Sequence, residues 1–280
     1  MTTVAISAAD VNKLRKQTGA GMMDCKKALV EASGDFEKAI DYLRKKGQKV
    51  ASNRADRAAS EGMVLASVTT DGKHGAMIAL NCETDFVAKN DDFVQFGTSI
   101  LNAAVENKPA DLNQLLDLSL DGASIKDKVV DMMGKIGEKL EVSVYENLCG
   151  EKVVAYNHPG NKLASLVVLS SNEPSEIDEI GKNVAMQIAA MNPVAVDKDQ
   201  VDQDTINREI EIGKDQARQE GKPEEMLEKI ATGKLNKFFK ESTLLNQGFI
   251  KEDKKTVKQY LDDCHKGLTV NSFKRIQLGA

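Results

Sequence analysis

Aromatic residues are scarce in this chain: they make up 4% of its 280 residues, and tryptophan is absent. Surfaces that stack nucleic-acid bases or sugars depend on aromatic faces, so the composition gives such surfaces little support. The three histidines, His74, His158 and His265, lie far apart, which leaves little material for a histidine-based metal cluster. No apolar run approaches the ~20 residues that a membrane-spanning helix needs. The sequence therefore predicts no metal ligands and no membrane segment.

Cysteine is also rare, and its four residues are widely separated: Cys25, Cys82, Cys149 and Cys264. No pair has the short spacing of a CxxC metal or redox motif. The first residues, 1–6, lack the basic stretch followed by an apolar stretch that marks a secretory signal. Because disulfides are rare in reducing compartments, we expect reduced, mostly buried thiols and a cytoplasmic protein.

Neither sign of charge dominates, since 38 Lys and Arg face 43 Asp and Glu, for a net charge of −5. A general binder of nucleic acids or anionic membranes needs surplus positive charge, so we expect neither partner. One basic stretch, residues 44–57, has Asp56 as its only acid. It could be an RNA-binding arm or a solvated helix end that runs into a linker, and the pattern favours the second. A ribosome- or RNA-associated structural protein is the alternative function.

Signatures of covalent chemistry are missing as well. The sequence has no GxxxxGK[ST] loop, no HExxH and no GxSxG motif. Gly19-Ala20-Gly21 is not followed by the third glycine of a dinucleotide-binding loop. Cys82 lies near Asp85, but no histidine is close in sequence, so buried packing is favoured over a nucleophile. We expect a protein that acts by binding, with no catalytic residues, no cofactor and no direct nucleotide binding.

The first 47 residues have the pattern of three short helices. Ser7 begins the first, Met22 to Ser33 form the second, and Asp35 caps the third, which we expect to end at Gly47. This module, residues 1–47, resembles a ubiquitin-associated (UBA) domain. Residues 48–59 lack apolar periodicity and are interpreted as a linker.

The rest of the chain reads as a duplicated α+β core with antiparallel sheets, residues 60–148 and 149–280. Each copy begins with a predicted β-hairpin, the first turned at Asp71-Gly72. Ala76 aligns with Ala164 and Val129 with Val257, so the second copy carries an insertion of 40 residues. The insertion, about 201–244, has sparse apolar positions broken by Gly221-Lys222-Pro223, which predicts a helical hairpin.

Thr84-Asp85-Phe86-Val87 follows the second predicted strand. Thr84 and Asp85 are good helix N-caps, and Phe86 is either the start of a buried stripe or a plug that points at a partner. Phe86 precedes Phe93 by seven residues, which puts both on one face of a continuous helix. Asn90 could begin a new helix and break that register, but the pattern alone favours Phe86 in the core.

Met22 and Met23 stand side by side at the start of the second helix. Adjacent helical residues point about 100° apart, so both are unlikely to be buried in a small module. We expect one to lie in the core and the other to be a surface contact.

Two motifs resemble the bacterial translation elongation factor Ts family: Thr84-Asp85-Phe86-Val87, and the run from Thr18 to Leu29, TGAGMMDCKKAL. The likeness extends over nearly the whole chain. It implies a guanine-nucleotide exchange factor for the GTPase elongation factor Tu. It also implies that the Thr84–Val87 element enters the GTPase near its magnesium site, so that Asp85 and Phe86 are exposed.

The resemblance implies further partner contacts. Arg15, Met22 and Met23 would grip the GTPase domain, and the region of Met186, Gln187 and Ile188 would meet a distal domain. Many family members carry histidine at the position of Gln187. Several longer members continue into a further C-terminal helix, so the remaining contacts are expected to carry the affinity here.

Overall fold

The computed structural model describes residues 6–279, which form a mixed α+β fold with antiparallel sheets. Two compact units are distinguished. The first contains the described residues up to Leu65 together with Ile78–Glu146, and the second contains Ala66–Met77 together with Asn147–Ile276. None of the helices in the described part of the chain is long and apolar enough to cross a membrane.

The predicted N-terminal helices are present as α1 (Ala8–Thr18), α2 (Met22–Glu31) and α3 (Phe36–Asn53). Ser7 and Asp10 form a reciprocal capping box at the start of α1, and Gly19 ends that helix in the left-handed conformation, with φ of 67°. The small core of this module is made by Val11, Leu14, Cys25, Ala28, Leu29 and Ala39.

The third helix was predicted to end at Gly47. It continues instead to Asn53 and takes up half of the predicted linker. Gly47 instead lies where α3 crosses α7 (Ile125–Ile136). A Cβ atom on Gly47 would lie 2.9 Å from the Val130 carbonyl oxygen, and one on Gly134 would lie 2.7 Å from the Gly47 Cα. Glycine is needed there for close helix packing, so it does not mark a helix end.

The first copy of the core has a three-stranded sheet in the order β1-β2-β5. Its strands are β1 (Glu61–Val68), β2 (His74–Cys82) and β5 (Leu140–Cys149), and every residue of β2 is buried. Between β2 and β5 lie α4 (Asp85–Ala88), α5 (Asp91–Asn107), α6 (Leu112–Asp117), β3 (Ser119–Leu120), β4 (Ala123–Ser124) and α7.

The second copy repeats this arrangement, with a sheet in the order β10-β7-β6. Its hairpin, β6 (Lys152–Asn157) and β7 (Leu163–Leu169), is antiparallel with Val154 opposite Val167. In both copies the second strand of the hairpin is central, and the last long strand of the copy lies beside it. The remaining elements are α8 (Ile177–Met191), α9 (Gln203–Gln219), α10 (Glu224–Ser242), β8 (Gly248–Phe249), β9 (Glu252–Thr256), α11 (Val257–Cys264) and β10 (Val270–Gln277).

The inserted helical hairpin is confirmed as α9 and α10. Gly221 adopts a φ of 73° in the turn, and Pro223 precedes the first residue of α10. The two helices pack closely at Gly213, where an added Cβ atom would lie 3.1 Å from the Ala231 Cα. Lys214 pairs with Glu211 and with Glu228 across the hairpin. The hydrophobic core of the second copy contains no residue of α9 or α10 among those described.

Candidate partner-binding site

Phe86 lies on the four-residue helix α4, which is separate from the helix that follows. The Thr84 hydroxyl caps α4 by accepting the Val87 N–H at 3.4 Å, and Asn90 then caps α5 by accepting the Asp92 N–H at 2.9 Å. The break removes Phe86 from the register of Phe93. Phe93 is fully buried, whereas Phe86 is 82% exposed, so the count that placed Phe86 in the core is wrong. The N-cap at Asn90 was the sequence signal for the break.

Helix α4 has no buried side chain, so its position depends on polar contacts at its base. The Glu138 carboxylate accepts the backbone N–H groups of Glu83 and Thr84 at 3.2 and 3.1 Å, and the Thr84 hydroxyl donates to it at 2.7 Å. In return, the Lys139 N–H donates to the Glu83 carboxylate at 2.7 Å. We call these four residues, Glu83, Thr84, Glu138 and Lys139, the loop clasp. Sequence reasoning missed it, because its halves lie more than fifty residues apart.

The Glu83 carboxylate also joins α3's end to the clasp. Both Arg54 and Arg57 donate to it, Arg54 from one nitrogen at 2.7 and 2.8 Å and Arg57 at 3.1 Å. Burial of the carboxylate raises its pKa, but the hydrogen bonds from Lys139 and the two arginines outweigh burial and hold the pKa below its ordinary value of 4.5. Glu83 is therefore charged at neutral pH and anchors the loop.

Asp85 lies at the first position of α4 with its side chain about half exposed. The Lys89 ammonium donates to its carboxylate at 2.7 Å, and this hydrogen bond raises the pKa of Lys89. The pair is exposed to solvent, so it contributes little to folding. Asp85 can exchange this partner for a cation or hydrogen-bond donor of a bound protein.

A shallow depression of about 480 Å³ adjoins Phe86. It is lined by Thr84, Phe86, Val87, Asn90, Asp92, Lys135, Ile136 and Glu138. On its floor the Lys135 ammonium donates to Asp92 at 2.7 Å. An exposed aromatic side chain beside a groove is typical of a protein-docking surface.

Met22 and Met23 are both exposed, by 53% and 72%, so the expectation that one lies in the core is wrong. The first buried residue of α2 is Cys25, two positions after Met23. Arg15 is exposed on α1. The Lys135 ammonium lies 2.9 Å from where a Cβ on Gly19 would stand, so it lies beside the turn that leads into Met22.

Lys135 therefore connects the surroundings of the two predicted contact regions of the first unit. It lines the Phe86 depression, pairs with Asp92 there, and lies against the α1–α2 turn at Gly19.

In the second unit, two of the three predicted contact residues are interior. Gln187 and Ile188 are fully buried, and Met186 is half-buried. The Gln187 amide donates to the Gln247 side chain and accepts the Ile250 N–H at 2.8 Å, which explains why a polar residue is tolerated there. Direct contact with a partner is not open to Gln187 and Ile188 in this conformation, which corrects that part of the prediction.

Exposed apolar side chains lie on the same unit as this interior site: Met191, Val194 and Ile250 are 46%, 56% and 43% exposed. Two of them are bonded to the interior amides, since Gln247 donates to the Met191 carbonyl at 3.4 Å and the Ile250 N–H donates to Gln187. For Met191 and Val194 the sequence signal was the end of an apolar helix at Asn192-Pro193, because proline cannot continue the helix.

Half of the basic residues in the stretch 44–57 are paired with acidic side chains of the same chain. Arg54 and Arg57 bind Glu83, and the Lys46 ammonium lies 2.6 Å from Asp24. Charges that are satisfied internally contribute less to phosphate binding, which weakens the RNA-binding alternative. Within residues 6–279, no group of three or more His, Cys, Asp or Glu side chains is arranged to hold a metal ion.

Comparison with known proteins gives the family. A family model described as "Elongation factor TS" matches residues 83–280. Elongation factor Ts of Cytophaga hutchinsonii is 56% identical over 274 residues, covering 98% of this chain and 99% of the relative. Those of Amoebophilus asiaticus and Christiangramia forsetii are 54% and 52% identical, covering 99% and 98% of this chain and 100% and 99% of the relatives. The chain belongs to the elongation factor Ts family, and its role lies in translation elongation.

Proposed function

We propose that the chain is a guanine-nucleotide exchange factor. It binds the GDP form of elongation factor Tu in the cytoplasm, accelerates GDP release and so allows GTP to bind. It performs no covalent chemistry and uses no cofactor of its own. The single observation that carries this proposal is the exposure of Phe86: this aromatic side chain is 82% exposed on a short helix in which no side chain is buried.

Exchange follows from linkage between two binding equilibria. A factor that binds the empty GTPase more tightly than the nucleotide-bound form lowers nucleotide affinity by the same coupling free energy. The factor therefore needs groups that fit only the rearranged nucleotide site. A rigidly held, exposed phenylalanine can occupy space that the nucleotide-bound GTPase fills with its own side chains.

Asp85 supplies the electrostatic part of this mechanism. The GTPase's magnesium ion offsets phosphate charge, so disturbing the ion's coordination weakens nucleotide binding. Asp85 is next to Phe86 and carries a carboxylate whose partner in the free chain is the exposed Lys89. As Phe86 enters, Asp85 competes for groups that order the water shell of the ion.

The remaining contacts hold the partner in place. Arg15, Met22 and Met23 are exposed on the same unit as Phe86 and would bind the GTPase domain. In the second unit, Met186 and the exposed Met191, Val194 and Ile250 would bind a distal domain. Apolar side chains at such surfaces give affinity that depends weakly on salt.

The test is release of a fluorescent GDP analogue from elongation factor Tu. The wild-type chain should accelerate release. Phe86→Ala should lose most of the acceleration, about tenfold or more, because hot-spot aromatics contribute ~2 kcal/mol or more. Asp85→Ala should lose a smaller part. Thermal melting should be unchanged in both, because both side chains are substantially exposed.

Ile212→Ala is the matched control, since Ile212 is also an exposed apolar residue, at 41%, but lies on the helical hairpin. It should exchange like the wild type. Unchanged exchange by Phe86→Ala would reduce Phe86 to a passive contact. No acceleration by the wild type would overturn the proposed function and lead to salt-dependent RNA-binding assays on residues 44–57.

A further inference from the structure

We propose that Glu138 is a positioning residue for nucleotide exchange: it orients the Phe86 turn through hydrogen bonds at the base of that turn. This inference rests on the proposed function. It adds a residue that lies outside both motifs and more than fifty positions from Phe86 in sequence.

Glu138 is delivered to the clasp by the end of α7. Gly137 ends that helix in the left-handed conformation, with φ of 84°, so the chain reverses and the next side chain points back. The Glu138 carboxylate then reaches the backbone of Glu83 and Thr84. Two N–H groups and one hydroxyl converge on a single carboxylate, and the bond from the hydroxyl, at 2.7 Å, is the shortest of the three.

The hydroxyl of Thr84 transmits this anchoring to α4. Since its proton is donated to Glu138 at 2.7 Å, an oxygen lone pair is left to accept the Val87 N–H. The N-cap of α4 is thus oriented by Glu138. A helix of four residues has too few internal hydrogen bonds to persist alone, and α4 gains no help from buried side chains.

Loss of the carboxylate should therefore leave the fold intact and free the Phe86 turn. Glu138→Ala removes all three acceptor contacts. Glu138→Gln keeps one acceptor oxygen but replaces the other with an amide NH2 donor, so it should retain part of the anchoring. Arg15, Met22 and Met23 do not contact Glu138 among the interactions described, so partner binding should persist.

The experiment measures GDP release from elongation factor Tu over a range of factor concentrations. For Glu138→Ala, the maximum rate should fall about tenfold, because the Phe86 turn is no longer held in the orientation that exchange requires. The half-saturating concentration should stay within about twofold, because uniform binding is untouched. Glu138→Gln should lie between the two. Glu106→Ala, an exposed glutamate on α5, is the control and should match the wild type.

A double-mutant cycle tests that Glu138 acts through Phe86. In the Phe86→Ala background, Glu138→Ala should cause no further loss of rate. Equal losses in both backgrounds would overturn the inference, because Glu138 would then act independently of Phe86.

Amide hydrogen exchange of the free chain gives a readout without the partner. In Glu138→Ala, the amides of residues 83–88 should exchange faster while those of buried β2 stay protected. Unchanged protection of residues 83–88 would also overturn the inference. Wild-type acceleration with a fully active Glu138→Ala would remove this inference alone, whereas an inactive wild type would remove the proposed function itself.

Discussion

At the scale of single residues, the loop before Phe86 is held by carboxylates that bind backbone N–H groups. Glu83 and Glu138 each serve the other's segment: one binds the Lys139 N–H, and the other binds the N–H groups of residues 83 and 84. Such bonds are strongest while the carboxylate is ionised. Because the pKa of Glu83 is lowered in the folded chain, the contribution of Glu83 to stability depends on pH.

Glu83→Gln tests that dependence. The pKa of Glu83 is lower in the folded chain than its ordinary value of 4.5, so its charged form stabilises folding above that value and the gain is lost as pH falls through the folded-state pKa. At pH ~7, the variant should melt below the wild type. The gap should shrink as the pH falls below the ordinary pKa of 4.5 and through the lower folded-state pKa. Calorimetric melting at neutral and acidic pH measures the gap, and a gap independent of pH would contradict the assignment.

At the scale of elements, helices α3 and α7 cross at a pair of facing glycines. Gly47 and Gly134 bring the two backbones into direct contact. Because backbone atoms cannot move aside as a flexible side chain can, even one added methyl group must push the helices apart.

Gly47→Ala should therefore lower the free energy of unfolding by ~1–3 kcal/mol, as overpacking does. Gly233→Ala is the matched control: Gly233 lies inside α10 with nothing within 4 Å of an added Cβ. There alanine should raise stability by ~0.5–1 kcal/mol through better helix propensity. Urea unfolding distinguishes the two. Equal effects at both glycines would show that helix propensity, and not the crossing, governs Gly47.

Local signals were enough to predict the hairpins, the N-caps and the helical hairpin, because turn and cap residues act on their own neighbours. The extension of α3 past Gly47 was not predictable in this way, because the reason for that glycine is α7, more than seventy residues away. The N-cap at Asn90 indicated the helix break that exposes Phe86, but the seven-residue spacing to Phe93 favoured the core. The clasp around Glu138, and the burial of Gln187, depend on tertiary contacts that no spacing in the sequence reveals.

At the scale of the whole chain, the insertion in the second copy meets the rest of that copy at the last residues of α10, where the Val194 N–H donates to the Ser242 carbonyl at 2.8 Å and the Gln247 amide donates to the Glu241 carbonyl at 3.0 Å. The core cluster of that copy runs from Val154 to Val270 and uses none of the described residues of α9 or α10. The chain returns to this core through backbone bonds: the Leu244 and Leu245 N–H groups donate to Ala195 and Val196 at 2.9 Å. These bonds do not require the hairpin.

Replacing Gln203–Lys240 with a short Gly-Ser linker, which keeps the bonded residues Glu241 and Ser242, should thus leave a folded protein. We expect one cooperative melting transition and a far-UV signal reduced by the helices removed. The melting temperature should change only slightly, because loop length has a weak effect on closure entropy. Loss of cooperative melting would show instead that the hairpin supports the core.

The glycine crossing fixes the spacing between two exposed sites of the first unit. Helix α3 presses on α7, and α7 ends at the clasp that carries Phe86. The distance between the methionine turn at Met22-Met23 and Phe86 is thereby set before a partner binds, so less backbone ordering entropy is lost there on docking. Spacing then becomes a criterion for selecting a partner. A GTPase whose two binding surfaces are spaced differently could engage either Met22-Met23 or Phe86 but not both.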